Sequence, residues 1–352
     1  MPLKTLLFSI RSSARNAGLL LSLFVLAAWS SFAQAPPTAP ADPGHCASID
    51  DDRARLRCYD ELAGRKETQA AKREIVPENE RIAATRVSQL SDRWELEEAS
   101  RHPLFNVRAH KQNYVLLGRY SDSPNQTPYT PAGTDPSSVE FLDSVEAKFQ
   151  LSLKMKIAQG IFKGNGDLWV GYTQQNQWQV YNNEISAPFR ETNYEPEAML
   201  SFRTNYSLFG LQGRFITLGL EHQSNGRTEP LSRSWNRIYA QFGFERGNFA
   251  MTIRPWYRLS EDEADDDNPD IEDYYGHGDV VMQYRHGGQV FSVMGRGNIS
   301  EGKGAAQLDW SFPLYSGLRG YVQGFTGYGE SMIDYNWDQN TIGVGVLLSD
   351  WY

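Results

Sequence analysis

From residue 106 to residue 352, apolar residues recur at every second position through about twelve short segments, and no long apolar run interrupts them. Strand side chains point alternately to opposite faces, so each segment presents one apolar and one polar face. The expected strands are 113–121, 144–155, 167–174, 194–206, 214–224, 234–246, 248–259, 275–285, 289–298, 305–312, 317–327 and 340–352. Each is near the length that crosses a bilayer at a tilt. Their connections alternate, long at 122–143, 225–233, 260–274 and 328–339, short at 247, 286–288 and 313–316. Long loops on one side and tight turns on the other predict an all-β chain, a twelve-stranded antiparallel transmembrane β-barrel. A helical membrane bundle is excluded, because it needs long apolar runs. A soluble β-sandwich explains the alternation less well at this strand count.

The last segment puts Ile342, Val344, Val346, Leu348 and Tyr352 on one face and ends on an aromatic. That ending is similar to the assembly signal of bacterial outer-membrane proteins. The first 33 residues read as a secretory signal peptide. Lys4, Arg11 and Arg15 precede an apolar run over 18–29, and Ser31-Phe32-Ala33 offers a small-x-small cleavage site. Residues 34–103 read as a small, helix-prone periplasmic extension that opens with a Pro/Ala linker over 34–44. Its Cys46 and Cys58 suggest one disulfide in an exported chain. A single straight helix cannot hold that bridge, since twelve residues rise about 18 Å, so a turn with a helix N-cap near Asp50, Asp51 and Asp52 is expected. The net charge of −9 and the lack of a basic stripe exclude a nucleic-acid binder. Much of the acidity is local, with nine carboxylates over 261–273, most of them read as a solvated loop.

The chemistry concentrates in two adjacent strands. His222 and Ser224 share a face with Ile216, Leu218 and Leu220, and Asn236 shares one with Ile238 and Ala240. In a hairpin with His222 opposite Asn236, a nucleophile, a base and an amide meet on an apolar outer surface. A serine hydroxyl is a weak nucleophile until a base takes its proton, and the base works when a third group holds its ring. The Asn236 side-chain carbonyl suits that third role, and the backbone N–H of Gly226 is placed in sequence to steady an oxyanion. Taken singly, His222 and Ser224 are ordinary strand-end and turn residues. Together on a lipid-facing patch, where unpaired polar groups are expensive, they point to hydrolysis of a lipid.

The run HQSNGRTEPLSRSWNR (222–237) resembles the active-site segment of the outer-membrane phospholipase A family, calcium-dependent, dimer-activated lipases of Gram-negative bacteria. KFQLSL (148–153), SAPFRETNYEP (186–196), PWY (255–257), DDNPDI (266–271) and GYGESMIDYN (327–336) resemble it as well, so the likeness spans 104–352. Carried onto this sequence, the resemblance implies His222 as base, Ser224 as nucleophile and Asn236 as the orienting residue. It implies Ca2+ held by the Arg227 carbonyl and the Ser232 hydroxyl, with Ser186 supplied by a partner subunit, and a further site using Glu229 and Asp267. The family commonly has Asp where Glu229 stands, a side chain one methylene shorter. Gln174, in YTQQ, matches a family position near the histidine.

The implied function is a calcium-dependent phospholipase A1/A2, a carboxylic ester hydrolase acting on glycerophospholipids and lysophospholipids in the outer leaflet of the outer membrane. It would pass through an acyl-serine intermediate and be activated as a homodimer. The competing reading is a non-enzymatic channel or structural barrel, which predicts a water-filled lumen and no calcium dependence. The bulky inner rows, Phe215, Thr217 and Glu221 on one strand and Trp235, Arg237 and Tyr239 on the next, speak against an open pore.

Overall fold

The computed structural model of the chain describes residues 43–63, 88–128, 141–262 and 265–349. The expected signal peptide, most of the linker and the terminal aromatic lie outside the described residues. The chain divides into two compact units, 1–77 and 78–352. Within the described part of the first, helix α1 (Pro43–Ala47) is followed by a turn and helix α2 (Asp52–Leu62). Asp51 caps α2 by accepting from the Ala54 N–H, and Cys46 and Cys58 form a disulfide with Cα atoms 5.5 Å apart. The turn brings the two Cα atoms within bridging distance.

The second unit contains helix α3 (Gln89–Trp94) and a short strand β1 (Val107–Ala109), followed by twelve long strands. These are β2 (Asn113–Ser121), β3 (Val145–Ala158), β4 (Asp167–Trp178), β5 (Phe189–Leu208), β6 (Leu211–Ser224) and β7 (Ser234–Arg246). Then come β8 (Phe249–Leu259), helix α4 (Ile271–Tyr275), β9 (Gly278–His286), β10 (Gln289–Asn298), β11 (Lys303–Tyr315), β12 (Leu318–Tyr328) and β13 (Asp338–Ser349). Every neighbouring pair is antiparallel, and β13 pairs with β2, which closes the barrel. Strand β1 pairs with β3 where β2 has not yet begun, with Val107 opposite Met155.

All twelve expected strands are present, with differences at their ends. Strand β9 starts at Gly278 rather than at 275, because residues 271–275 form α4, which buries Ile271 and Tyr275. Gly276, at φ 66°, ends that helix in a conformation open to glycine. Strand β5 runs longer at both ends than its apolar alternation suggests. Residues 88–100 belong to the barrel unit. Trp94 of α3 is buried against Trp169 and Phe215, and the Lys154 ammonium lies 3.4 Å from its ring centroid. Near the opposite end of the strands, α4 and the segment 329–337 bury Tyr275, Met332 and Tyr335.

Charge pairs fill the lumen, two of them made to the segment 329–337. Arg119 bonds Glu146 at 2.7 Å, Lys148 bonds Glu330 at 2.9 Å and Arg190 bonds Asp334 at 2.9 Å, all buried. Buried charge is tolerable when each group is paired and hydrogen-bonded, as these are. A polar cavity of about 230 Å³ remains, lined by Lys111, Glu195, Arg237 and Asp309 among others. The outer faces carry exposed Leu218, Leu220, Ile238, Tyr257 and Ile342, side chains suited to hydrocarbon.

Candidate active site

Strands β6 and β7 pair with His222 opposite Asn236, Leu220 opposite Ile238 and Ser224 opposite Ser234. This is the register that the alternation predicts. A slip of one residue would send all the apolar side chains to the lumen, so burial of the opposite face enforces it. On the other side Tyr194 of β5 lies opposite Ser224. The outer surface here is therefore a ladder in which the His222–Asn236 row sits next to the Ser224–Ser234 row. His222 is exposed, while Ser224 and Asn236 are half-buried.

The His222 Nδ1 atom is 2.9 Å from the Asn236 Oδ1 atom. An amide oxygen only accepts, so Nδ1 carries the proton and Nε2 keeps its lone pair. The Asn236 Nδ2 group donates in turn to the Glu261 Oε1 atom at 2.7 Å. Burial pushes the Glu261 carboxyl up from its ordinary value, opposed by that amide bond.

The loop after Ser224 is held by one buried residue. The Asn225 Oδ1 atom accepts from the N–H groups of Arg227, at 3.2 Å, and Arg233, at 3.0 Å, and its Nδ2 group donates to the Leu231 carbonyl at 2.8 Å. Gly226 follows at φ 65°, and a Cβ there would lie 2.9 Å from the Tyr194 ring. Any larger residue would be strained and would crowd that ring. Among the described residues the Gly226 N–H has no hydrogen-bond partner, and the residue is exposed.

The β8–β9 connection meets that loop at Ser232 and strand β7 at Ser234 and Asn236. The Ser232 hydroxyl donates to the Asp267 Oδ2 atom at 2.6 Å, the Ser234 N–H donates to the Asn268 Oδ1 atom at 3.0 Å, and Asn236 reaches Glu261 as above. The Asp267 carboxyl pushes Glu229 above its ordinary value. Two carboxylates and a hydroxyl thus sit together in adjoining loops. They are hard oxygen donors of the kind that calcium takes. The Arg227 side chain extends toward Glu191, with 4.0 Å between Nε and Oε2. Ser186 lies exposed in the separate loop between β4 and β5, and no hydrogen bond joins it to this group among the described residues.

The structure therefore brings together His222 with Asn236, and Ser232 with Asp267 and Glu229, and leaves Ser186 apart. Gln174 lies opposite Tyr194 in the row that contains Ser224. Sequence reasoning passed over Asn225, Tyr194 and Glu261. Glu261 had a signal: it continues the outward row of β8 beyond Leu259, the residue opposite Asn236.

A family model described as phospholipase A1 matches residues 90–348. A putative phospholipase A1 of Neisseria meningitidis is 44% identical over 268 residues, which cover 74% of this chain and 70% of that protein. Among solved structures, a Salmonella typhi outer membrane phospholipase dimer with bound calcium matches at TM-score 0.67 and 37% identity, covering 75% of this chain and 98% of that one. An Escherichia coli outer membrane phospholipase A carrying an asparagine-to-alanine active-site substitution matches at TM-score 0.66 and 36% identity, covering 76% and 100%.

Proposed function

The chain belongs to the phospholipase A1 family, and from that membership we propose that Ser224, His222 and Asn236 hydrolyse the acyl esters of glycerophospholipids. The protein is a Gram-negative outer-membrane barrel and a carboxylic ester hydrolase. One observation carries the mechanistic reading: the 2.9 Å contact between His222 Nδ1 and Asn236 Oδ1 on the outer face, one ladder row from Ser224. The E. coli protein, whose substituted active-site residue is an asparagine, supports the same assignment.

The Ser224 Oγ atom attacks the ester carbonyl as the His222 Nε2 atom takes its proton. The tetrahedral intermediate collapses, the C–O bond to the lipid breaks, and His222 returns the proton to the departing alcohol oxygen. A water then attacks the acyl-Ser224 ester with His222 again as base. The acid is released and Ser224 recovers its proton. Asn236 is uncharged, so it orients the imidazole without the electrostatic support that an Asp would give its charged form. The Gly226 N–H, two residues after Ser224, would donate to the oxyanion. His222 and Ser224 sit on the apolar exterior, so substrate reaches them sideways from the lipid and not through the filled lumen. Both acyl positions and lysophospholipids fall within this substrate class.

By donor chemistry the Arg227 carbonyl and the Ser232 hydroxyl would hold a calcium ion that Ser186 of a second copy completes, and Glu229 and Asp267 would hold a further one. Bound there, Ca2+ would supply positive charge that favours the oxyanion, a role separate from the orienting of His222 by Asn236. Homodimer formation is then the activating step, because within one chain no hydrogen bond among the described residues joins Ser186 to this group. The calcium-bound dimer of the S. typhi relative supports this arrangement. Residues 1–33 act as a secretion signal, and the stretch from 34 to the start of the barrel unit as a periplasmic extension.

The test is fatty-acid release from phospholipid–detergent micelles, with and without calcium, by the wild type and by Ser224→Ala. Release by the wild type only, and only with calcium, is expected. Equal release by both proteins would overturn the serine mechanism, and wild-type release in chelator would remove the calcium assignment.

A further inference from the structure

The His222–Asn236 contact depends on which way the Asn236 amide faces. Oxygen and nitrogen occupy nearly the same volume, so packing alone does not choose between the two orientations. In the flipped state Nδ2 would face His222, which would then have to offer its Nδ1 lone pair. The proton would move to Nε2, and the imidazole would lose the lone pair that accepts the Ser224 proton. We propose that Glu261 is the residue that fixes this choice: it is a positioning residue, which holds the Asn236 amide so that Oδ1 faces His222. The inference rests on the catalytic reading given above and goes one residue beyond it.

Three observations support it. The Asn236 Nδ2 group donates to Glu261 Oε1 at 2.7 Å, a charge-assisted bond. A flipped amide would put its oxygen against that carboxylate, so the same contact favours one orientation and penalises the other. The residue opposite Asn236 on β8 is Leu259, and its apolar side chain offers no hydrogen bond, which leaves Glu261 to make the choice. The Glu261 loop is itself anchored. Arg258 donates to the Asp266 Oδ1 atom at 2.6 Å and to the Pro269 carbonyl at 3.1 Å, and Asn268 N–H donates to the same Asp266 oxygen at 3.1 Å. Glu261 is thus presented from a tethered segment, half-buried beside the amide. A neutral triad residue backed by a carboxylate also draws electron density toward Oδ1 and strengthens its acceptance from the imidazole.

The test is a set of kcat and KM measurements in calcium-saturated micelles on Glu261→Ala, Glu261→Gln, Asn236→Ala, Asn236→Asp and the double variants. Glu261→Ala is expected to lower kcat about fivefold with KM unchanged, the scale of one hydrogen bond. Glu261→Gln is expected to retain activity, because its Oε1 accepts the same bond. In an Asn236→Ala background Glu261→Ala is expected to cost nothing more, since there is no amide left to orient. Asn236→Asp places two carboxylates together, and adding Glu261→Gln is expected to recover activity by supplying an amide donor. A residue that merely braced the loop would not produce that rescue. Wild-type kcat in Glu261→Ala, or an equal fold-loss with and without Asn236, overturns the proposal while leaving the triad standing. Wild-type kcat in Asn236→Ala overturns the triad and this inference together.

Discussion

Replacing Asn236 by alanine is the perturbation that most directly measures what an uncharged third residue contributes. The change removes the 2.9 Å contact to His222 Nδ1 and the 2.7 Å bond to Glu261. In the ground state the first is a hydrogen bond to a neutral ring, worth about 1 kcal/mol. As Ser224 gives up its proton the ring becomes cationic, and a hydrogen bond to a charged group is worth roughly 1.5–3 kcal/mol. Only the increase between the two states acts on kcat, which is about 0.5–2 kcal/mol or roughly two- to thirtyfold. Removing Ser224 eliminates the acyl-serine route, and a loss above about a thousandfold is expected there. Steady-state fatty-acid release at saturating calcium, with active-site titration to count competent enzyme, separates the two. An Asn236→Ala enzyme as dead as Ser224→Ala, or one indistinguishable from wild type, would refute the orienting role.

Other expectations concern the metal group, its protonation and the barrel end. Asp267→Ala removes the acceptor of the 2.6 Å Ser232 bond and one carboxylate, so half-maximal activity should require at least tenfold more calcium, read from a calcium titration of activity. Because Asp267 holds Glu229 above the usual carboxylate range, a proton occupies that oxygen to higher pH and competes with the cation. The calcium needed should therefore rise as pH falls through the raised value, and Glu229→Gln should flatten that dependence in the same titration. Trp94→Ala empties a buried site packed on Trp169, Phe215 and Lys154, with an expected loss of about 3–5 kcal/mol, seen as a lower unfolding temperature in detergent. Activity of the folded Trp94→Ala protein at low temperature should remain, because none of those contacts touches β6 or β7 near Ser224.

What the linear chain determines is whatever period two and loop length encode. Alternation set the strand faces, and with them the opposition of His222 and Asn236, because a one-residue slip would invert every side chain along β6 and β7. Loop lengths marked the ends of most strands closely, except where α4 forms and shortens β9 and where β5 runs past both of its expected ends. The need for a turn between Cys46 and Cys58 likewise followed from helix rise alone. Tertiary structure decided contacts between segments far apart in sequence, to which no local period refers. It placed Asp267 on Ser232 and Glu261 on Asn236, pairings that no pattern within the crowded acidic stretch assigns. It put α3, textured like a solvated extension, inside the barrel unit, because its Trp94 fills space that the strands alone leave open. The orientation of the Asn236 amide, on which the tautomer of His222 depends, belongs wholly to this second class. It is chosen by a residue 25 positions away that meets it only once β8 has turned back beside β7.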